Sequence, residues 1–202
     1  MLFLGPVYQV VRAHLEGRIN HFPLVRLMMY SLDKTILYLL AFALIRGVWL
    51  FATKRPWRLG HELKVHVFAG YVILLLMLTV FRQWYYPWQL HFYFNHPLAD
   101  INWTPMVETM KLRLGASQLD FWYQSLGNVV WFVPFGFGLA WLAPRPRLWR
   151  VLLAGILLSV MIEGLQFLLY SGVADIDDLI FNTVGALVGY VLCRLVRRPR
   201  RQ

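Results

Sequence analysis

Between Leu148 and Val196 the chain sets carboxylates and carboxamides inside, or at the edge of, apolar segments long enough to cross a bilayer. Charge at such depth is costly, so each ionisable residue there reads first as a functional group. Placed on helices, Ser159, Glu163, Gln166 and Tyr170 follow one another at steps of four, three and four, and so do Asp178, Asn182, Gly185 and Gly189. Each set makes a stripe down one helix face. The connector SGVADID is long enough only to turn the chain back, so the two helices are neighbours and their polar stripes meet near that end.

Composition supports a membrane setting. Apolar residues make up 59% of the 202 and aromatic residues 16%, which is too hydrophobic for one soluble core. The formal net charge of +10 invites a nucleic-acid reading, but the basic residues stand in short clusters beside apolar runs. Positive-inside anchoring accounts for them, and no nucleic-acid partner is expected. The single cysteine, Cys193, excludes an internal disulfide and a thiolate metal site, leaving a packed or lipid-facing thiol. MLFLGPVYQVVRAHLEGRIN has neither a basic region ahead of its apolar part nor a small-x-small cleavage site, so no removable signal peptide is expected.

These features predict an all-α integral membrane protein with about five transmembrane helices plus an N-terminal interfacial or re-entrant helix. The N-terminal segment covers 1–34, where Pro6, Gly17 and Pro23 punctuate short apolar pieces, and a transmembrane domain covers 35–202. Its spans fall at about 35–53, 65–81, 121–142, 151–170 and 179–196. The long stretch between the second and third spans is crowded with Trp, Tyr, Phe, His and Pro, which suits a loop lying along the headgroups. Lys54, Arg55, Arg58 and Lys64 follow the first span, Arg145, Arg147 and Arg150 the third, and Arg197, Arg198, Arg200 and Arg201 the fifth. Those places, the C-terminus among them, are expected in the cytoplasm, with the aromatic loop and the last connector outside. The same assignment leaves Arg12, Arg18, Arg26 and Lys34 on the outer side, against the rule that set it.

In this orientation Asp175, Asp177 and Asp178 lie at the outer surface, with Asn182 about a turn deeper. Glu163 and Gln166 lie about 10 and 6 Å inward of Tyr170, taking 1.5 Å per residue. Gln124 and Asn128 on the third span reach the same level, so polar residues of three spans converge in the outer half of the membrane. A carboxylate there either stays protonated or finds donors and cations. Asn128, Gln166 and Asn182 are the available neutral donors, and Arg82 or Arg113 could approach from the loop. Plainer roles stand beside each of these. Asp175 and Asp177 open the fifth span, where a cap and the helix dipole favour negative charge. Glu163 could be a structural carboxylate, Gln166 and Asn182 interhelical glue, and Gly185 with Gly189 a close-approach face for a neighbouring helix. Pro134 frees the carbonyl of Val130 beside Asn128. His61, His66 and His91 lack ligand spacing and read as interfacial, so no metal is expected of them.

Four blocks carry a family likeness: Ile101, Asn102 and Pro105 in INWTPM, GNVVWFVPFGF from Gly127 to Phe137, SVMIEGLQ from Ser159 to Gln166, and ADIDDLIFNTVGALVGY from Ala174 to Tyr190. Together they resemble the VanZ-like family of bacterial membrane proteins. Thr104 and Met106 depart from it, standing where the family commonly has an apolar residue and Phe. The resemblance implies a multi-pass protein of the bacterial cytoplasmic (inner) membrane. The family's founding member is associated with resistance to the glycopeptide teicoplanin.

Three kinds of function remain open at this point. In the first, an outward-facing pocket built from Asn102, Asn128, Gln166, Asp175, Asp177, Asp178 and Asn182 binds an amphiphile, such as a lipid-linked cell-wall precursor or a lipoglycopeptide, among the membrane lipids. In the second, Glu163 is the general acid or base of an enzyme acting on such a lipid. No cofactor is expected, although a divalent cation at Asp175, Asp177 and Asp178 would fit oxygen ligands without the usual loop spacing. In the third, the protein is a non-catalytic assembly factor that works through its GxxxG face. No G-x-S-x-G, H-E-x-x-H or phosphate-cradling glycine loop is present.

Overall fold

The computed structural model describes residues 1–95, 97–107, 110 and 118–197. Among them are six helices: α1 (Gly5–Leu15), α2 (Phe22–Ala52), α3 (Leu59–Thr79), α4 (Gln118–Leu142), α5 (Leu148–Leu169) and α6 (Ile176–Val196). Short 3-10 turns lie at Pro87–Gln89 and Leu98–Asp100. The last five helices are each long and apolar enough to cross a membrane, as the hydrophobic runs predict. The chain divides into two compact units, Met1–Leu90 and His91–Gln202.

The first unit packs α2 on α3, with α1 against α2. Here the first span departs from its expected start, because helix begins at Phe22 and runs unbroken through residue 34. Pro23 lies in the first turn of α2, where its missing N–H costs nothing, so it opens the helix instead of breaking it. Gly17, with φ 83°, makes the turn that separates α1 from α2. With 31 residues, α2 is about 46 Å long, longer than the hydrocarbon core.

A polar knot sits midway along this unit. The buried carboxylate of Asp33 accepts from the backbone N–H groups of Leu2, Phe3 and Leu4 at 2.8, 2.7 and 2.6 Å. It also accepts from the phenol of Tyr85. The ammonium of Lys34, one residue on and equally buried, donates to the carbonyls of Phe81, Arg82 and Trp84 at 2.5, 3.4 and 3.3 Å. Adjacent residues point around the helix in different directions. The two opposite charges therefore bind the backbone near helix ends instead of each other, Asp33 just before α1 and Lys34 just beyond α3, each with the sign the helix dipole favours. Nearer the other end of α2, Arg46 holds Glu62 in a two-point ion pair, both contacts 2.9 Å.

The second unit is built around α6, which packs against both α4 and α5. Its GxxxG residues permit this. A Cβ on Gly185 would fall 2.2 Å from the Val129 carbonyl oxygen, and one on Gly189 2.0 Å from that of Val133. Gly136 on α4 answers them, its Cβ position lying 2.0 Å from the Ala186 carbonyl oxygen. The glycine stripe is thus the seam between two helices of the same chain. Pro134 lies within α4, and the helix continues past it. Below the seam, Ala140, Val151 and Cys193 form a buried cluster, which fixes Cys193 as a packed thiol.

Candidate functional site

The connector between α5 and α6 organises the polar residues of the second unit. Helix α5 ends at Tyr170, whose left-handed φ of 57° is unusual for a bulky residue. The strained turn is supported from the side: Tyr93 N–H donates to the Leu168 carbonyl at 2.8 Å, and its ring meets that of Tyr170 edge-on at 5.7 Å. Five residues later Asp175 caps α6, its side chain accepting from Asp177 N–H at 2.8 Å. Asn102 from the aromatic loop then locks onto this cap. Its N–H donates to the Ala174 carbonyl at 2.9 Å, its own carbonyl accepts from Ile176 N–H at 3.1 Å, and its side-chain amide donates to Asp175 at 3.0 Å.

The cap expected at the start of α6 is present at Asp175, and Asp177 adds a longer-range tie. Asp177, buried, accepts from Met106 N–H at 2.6 Å. Met106 has a positive φ of 64°, so this residue, one of the two family departures, bends the loop back to meet it. Asp175 and Asp177 together stitch the stretch from Asn102 to Met106 onto the start of α6.

Glu163 lies nearly two helical turns before the end of α5 and accepts from Asp175 N–H at 3.1 Å. Asp178 turns the other way, toward α4, and accepts from the Asn128 amide at 2.5 Å. Among the described residues each of these carboxylates has a single neutral donor, and neither forms an ion pair with a Lys or Arg. One turn deeper, the Asn182 amide donates to Ser159 at 2.9 Å, while its carbonyl oxygen, buried, has no hydrogen-bond partner among the described residues. Gln166 is buried against Gly172, where a Cβ would stand 3.2 Å from its amide carbon.

A cleft of about 210 Å³ opens beside Glu163. Of the candidate residues it is lined by Asn102, Glu163 and Asp175, and its remaining wall includes Trp103, Phe167 and Leu179. Asn128, Asp177, Asp178, Gln166 and Asn182 do not line it. The expected convergence is thus a set of separate polar contacts, Asn128 with Asp178, Glu163 with Asp175 and Asn182 with Ser159, of which the second borders the cleft. The three aspartates face three different partners, and no group of three His, Cys, Asp or Glu among the described residues is arranged to hold a metal ion. Lys111, Arg113 and the side chain of Gln124 lie outside the described residues.

The sequence reading missed the knot at Asp33, Lys34 and Tyr85, and the Arg46–Glu62 pair. A signal was there. Asp33 and Lys34 directly precede a long apolar run, and an ionisable pair at the edge of a span carries the same presumption that was applied to Glu163.

Five helices long and apolar enough to span a membrane, with Glu163 of the second unit beside a mostly apolar cleft, make this an all-α multi-pass membrane protein. The chain belongs to the VanZ/LLP1 family, whose model matches residues 68–197. It is also similar to "Protein VanZ" of Enterococcus faecium, with 29% identity over 148 residues that cover 71% of this chain and 81% of that protein. No solved structure matches it.

Proposed function

We propose that the cleft at Glu163 faces the outside of the cytoplasmic membrane and binds the polar head of an amphiphilic envelope ligand. Such a ligand would be a lipid-linked cell-wall precursor or a lipoglycopeptide. The observation that supports this reading best is the state of Glu163: a carboxylate in a mostly apolar wall, with one backbone donor and room beside it. A group so placed gains by meeting a hydroxyl or ammonium from a ligand. Trp103 and Phe167 offer flat surfaces to a sugar ring or an acyl chain, and Asn102 and Asp175, bonded to each other, edge the same cleft. Through such binding the protein would contribute to tolerance of teicoplanin, as the family resemblance implies.

The orientation rests on the basic clusters after α2, after α4 and beyond α6, which favour a cytoplasmic C-terminus and an outward α5–α6 connector. Val173 in that connector is 71% exposed, whereas the lone Cys193 is 0% exposed. A Val173→Cys variant should react in whole cells with a membrane-impermeant maleimide. Labelling only after the cells are opened would reverse the topology and remove the proposal.

The functional test is Glu163→Gln, which keeps shape and hydrogen bonding but removes titration. At matched membrane levels, cells making the wild-type protein should tolerate teicoplanin better than cells making the variant. Equal tolerance would count against a role for the carboxylate. An enzymatic reading has one observation in its favour, a carboxyl group set in an apolar cleft where it could move a proton. The two separate cleanly: an enzyme would retain ligand binding in Glu163→Gln while losing turnover, and a binding protein would lose the binding.

A further inference from the structure

We propose that the first unit carries a second site, one that holds the phosphate head of an anionic phospholipid between Arg26 and Arg82. Both arginines line a cleft of about 290 Å³, together with Pro23, Leu27, Tyr30 and Gln83. Each guanidinium is already oriented. Arg26 lies over the Tyr30 ring at 5.6 Å from its centre, and Arg82 donates through Nε to the Leu78 carbonyl at 2.9 Å. Neither pairs with a carboxylate among the described residues. Two planar, permanently charged donors sharing one cleft match a phosphate in both charge and geometry.

The neighbouring surface decides which kind of phosphate. A second cleft in the same unit, of about 350 Å³, is lined by apolar and aromatic side chains, among them Tyr38, Leu76, Phe81, Trp84 and Tyr86. The backbone from Phe81 to Trp84 borders both: Arg82 and Gln83 face the basic cleft, Phe81 and Trp84 the aromatic one. That backbone is pinned by the ammonium of Lys34, which takes the carbonyls of Phe81, Arg82 and Trp84. A buried lysine thus holds in place a segment with a cation on one side and rings on the other. A free anion would use only the first cleft, whereas a phospholipid uses both, its head on the arginines and an acyl chain along the rings.

The test uses the full chain in non-ionic detergent, equilibrated with equal amounts of palmitoyl-oleoyl phosphatidylglycerol and phosphatidylcholine and read by native mass spectrometry. The wild-type protein should retain the anionic lipid with about tenfold preference. The exposed-residue variant Arg26→Gln/Arg82→Gln should elute unchanged on gel filtration and bind the two lipids about equally. Leu76→Trp, which fills the aromatic cleft, should reduce retention of the long-chain anionic lipid while leaving dihexanoyl phosphatidylglycerol unaffected. Equal retention of both lipids by the wild-type protein would overturn the proposal, as would a preference that survives loss of both arginines. Displacement of the lipid by inorganic phosphate at matched concentration would show a site for a free anion and overturn the lipid assignment.

Discussion

The first unit fills the bonding capacity of its charged side chains more completely than the second fills that of Glu163 and Asp178. In the first, Asp33 accepts from three backbone N–H groups and a phenol, Lys34 donates to three carbonyls, and Arg46 and Glu62 neutralise each other at two points. In the second, Glu163 and Asp178 each have one neutral donor, and the Asn182 carbonyl oxygen has none among the described residues. A charge whose capacity is filled by its own chain has become part of the architecture. One left with open capacity beside a cleft is available to something else. Intramembrane charge alone therefore does not mark a site; unfilled bonding capacity next to accessible space does.

This contrast can be broken by substitution, with loss of stability as the measure. Because Cys193 is the sole cysteine and is buried, heating the detergent-solubilised protein with a thiol-reactive fluorophore reports unfolding directly. The largest loss is expected for Asp33→Ala, which strands four donors and should cost about 3–5 kcal/mol. Unfolding near the wild-type temperature would show that the knot does not hold the unit together. Gly189→Leu should follow, at about 3 kcal/mol, because a side chain there meets the backbone of α4 and cannot be relieved by rotation. A stable variant would mean the seam can widen. Arg46→Leu leaves Glu62 buried and unpaired, but the arginine side chain is 21% exposed, so about 2 kcal/mol is expected.

Tyr85 sharpens the comparison through pH. Burial first, and then its hydrogen bond to Asp33, push the Tyr85 phenol well above its ordinary value. A group raised in the folded state adds stability that is complete below its unfolded value of about 10 and is lost as pH climbs through the folded one. Thermal stability should therefore fall as pH rises above about 10, and Tyr85→Phe should flatten that fall. The same slope in both proteins would detach Tyr85 from the knot. The smallest effect is expected for Glu163→Gln. Its single accepted bond can be kept by the amide oxygen, so the shift should stay within about 1 kcal/mol. A large loss would move Glu163 into the same structural class as Asp33.

The second unit was legible from its sequence because its signals are local. Steps of three and four placed Ser159, Glu163 and Gln166 on one stripe, and a short connector implied the hairpin that joins it to Asp178 and Asn182. The glycine seam and the cap at Asp175 followed from equally short-range rules. What the sequence could not supply was the pairing. Nothing local couples Asn102 to Asp175 across 73 residues, or Asn128 to Asp178 across 50. Those contacts divide the expected single hollow into separate pairs, of which Asn102 with Asp175 and Asp175 with Glu163 border a cleft. The first unit was harder for a related reason. Pro23 reads as a breaker until it is known to occupy the first turn of a helix, and Asp33 and Lys34 resemble an interfacial pair until their partners, 29 to 31 and 47 to 50 residues away, are known.

The central claim is that Glu163 is held open for a ligand while Asp33, Lys34, Arg46 and Glu62 of the first unit are not. It is tested most directly by equilibrium binding of fluorescently labelled teicoplanin to the purified full chain, with wild type, Glu163→Gln and Arg46→Lys measured alongside their unfolding temperatures. The account predicts that Glu163→Gln weakens binding about tenfold or more at an unchanged unfolding temperature, and that Arg46→Lys lowers the temperature while leaving affinity intact. Wild-type affinity in Glu163→Gln, or an equal loss in both variants that follows stability alone, would contradict it.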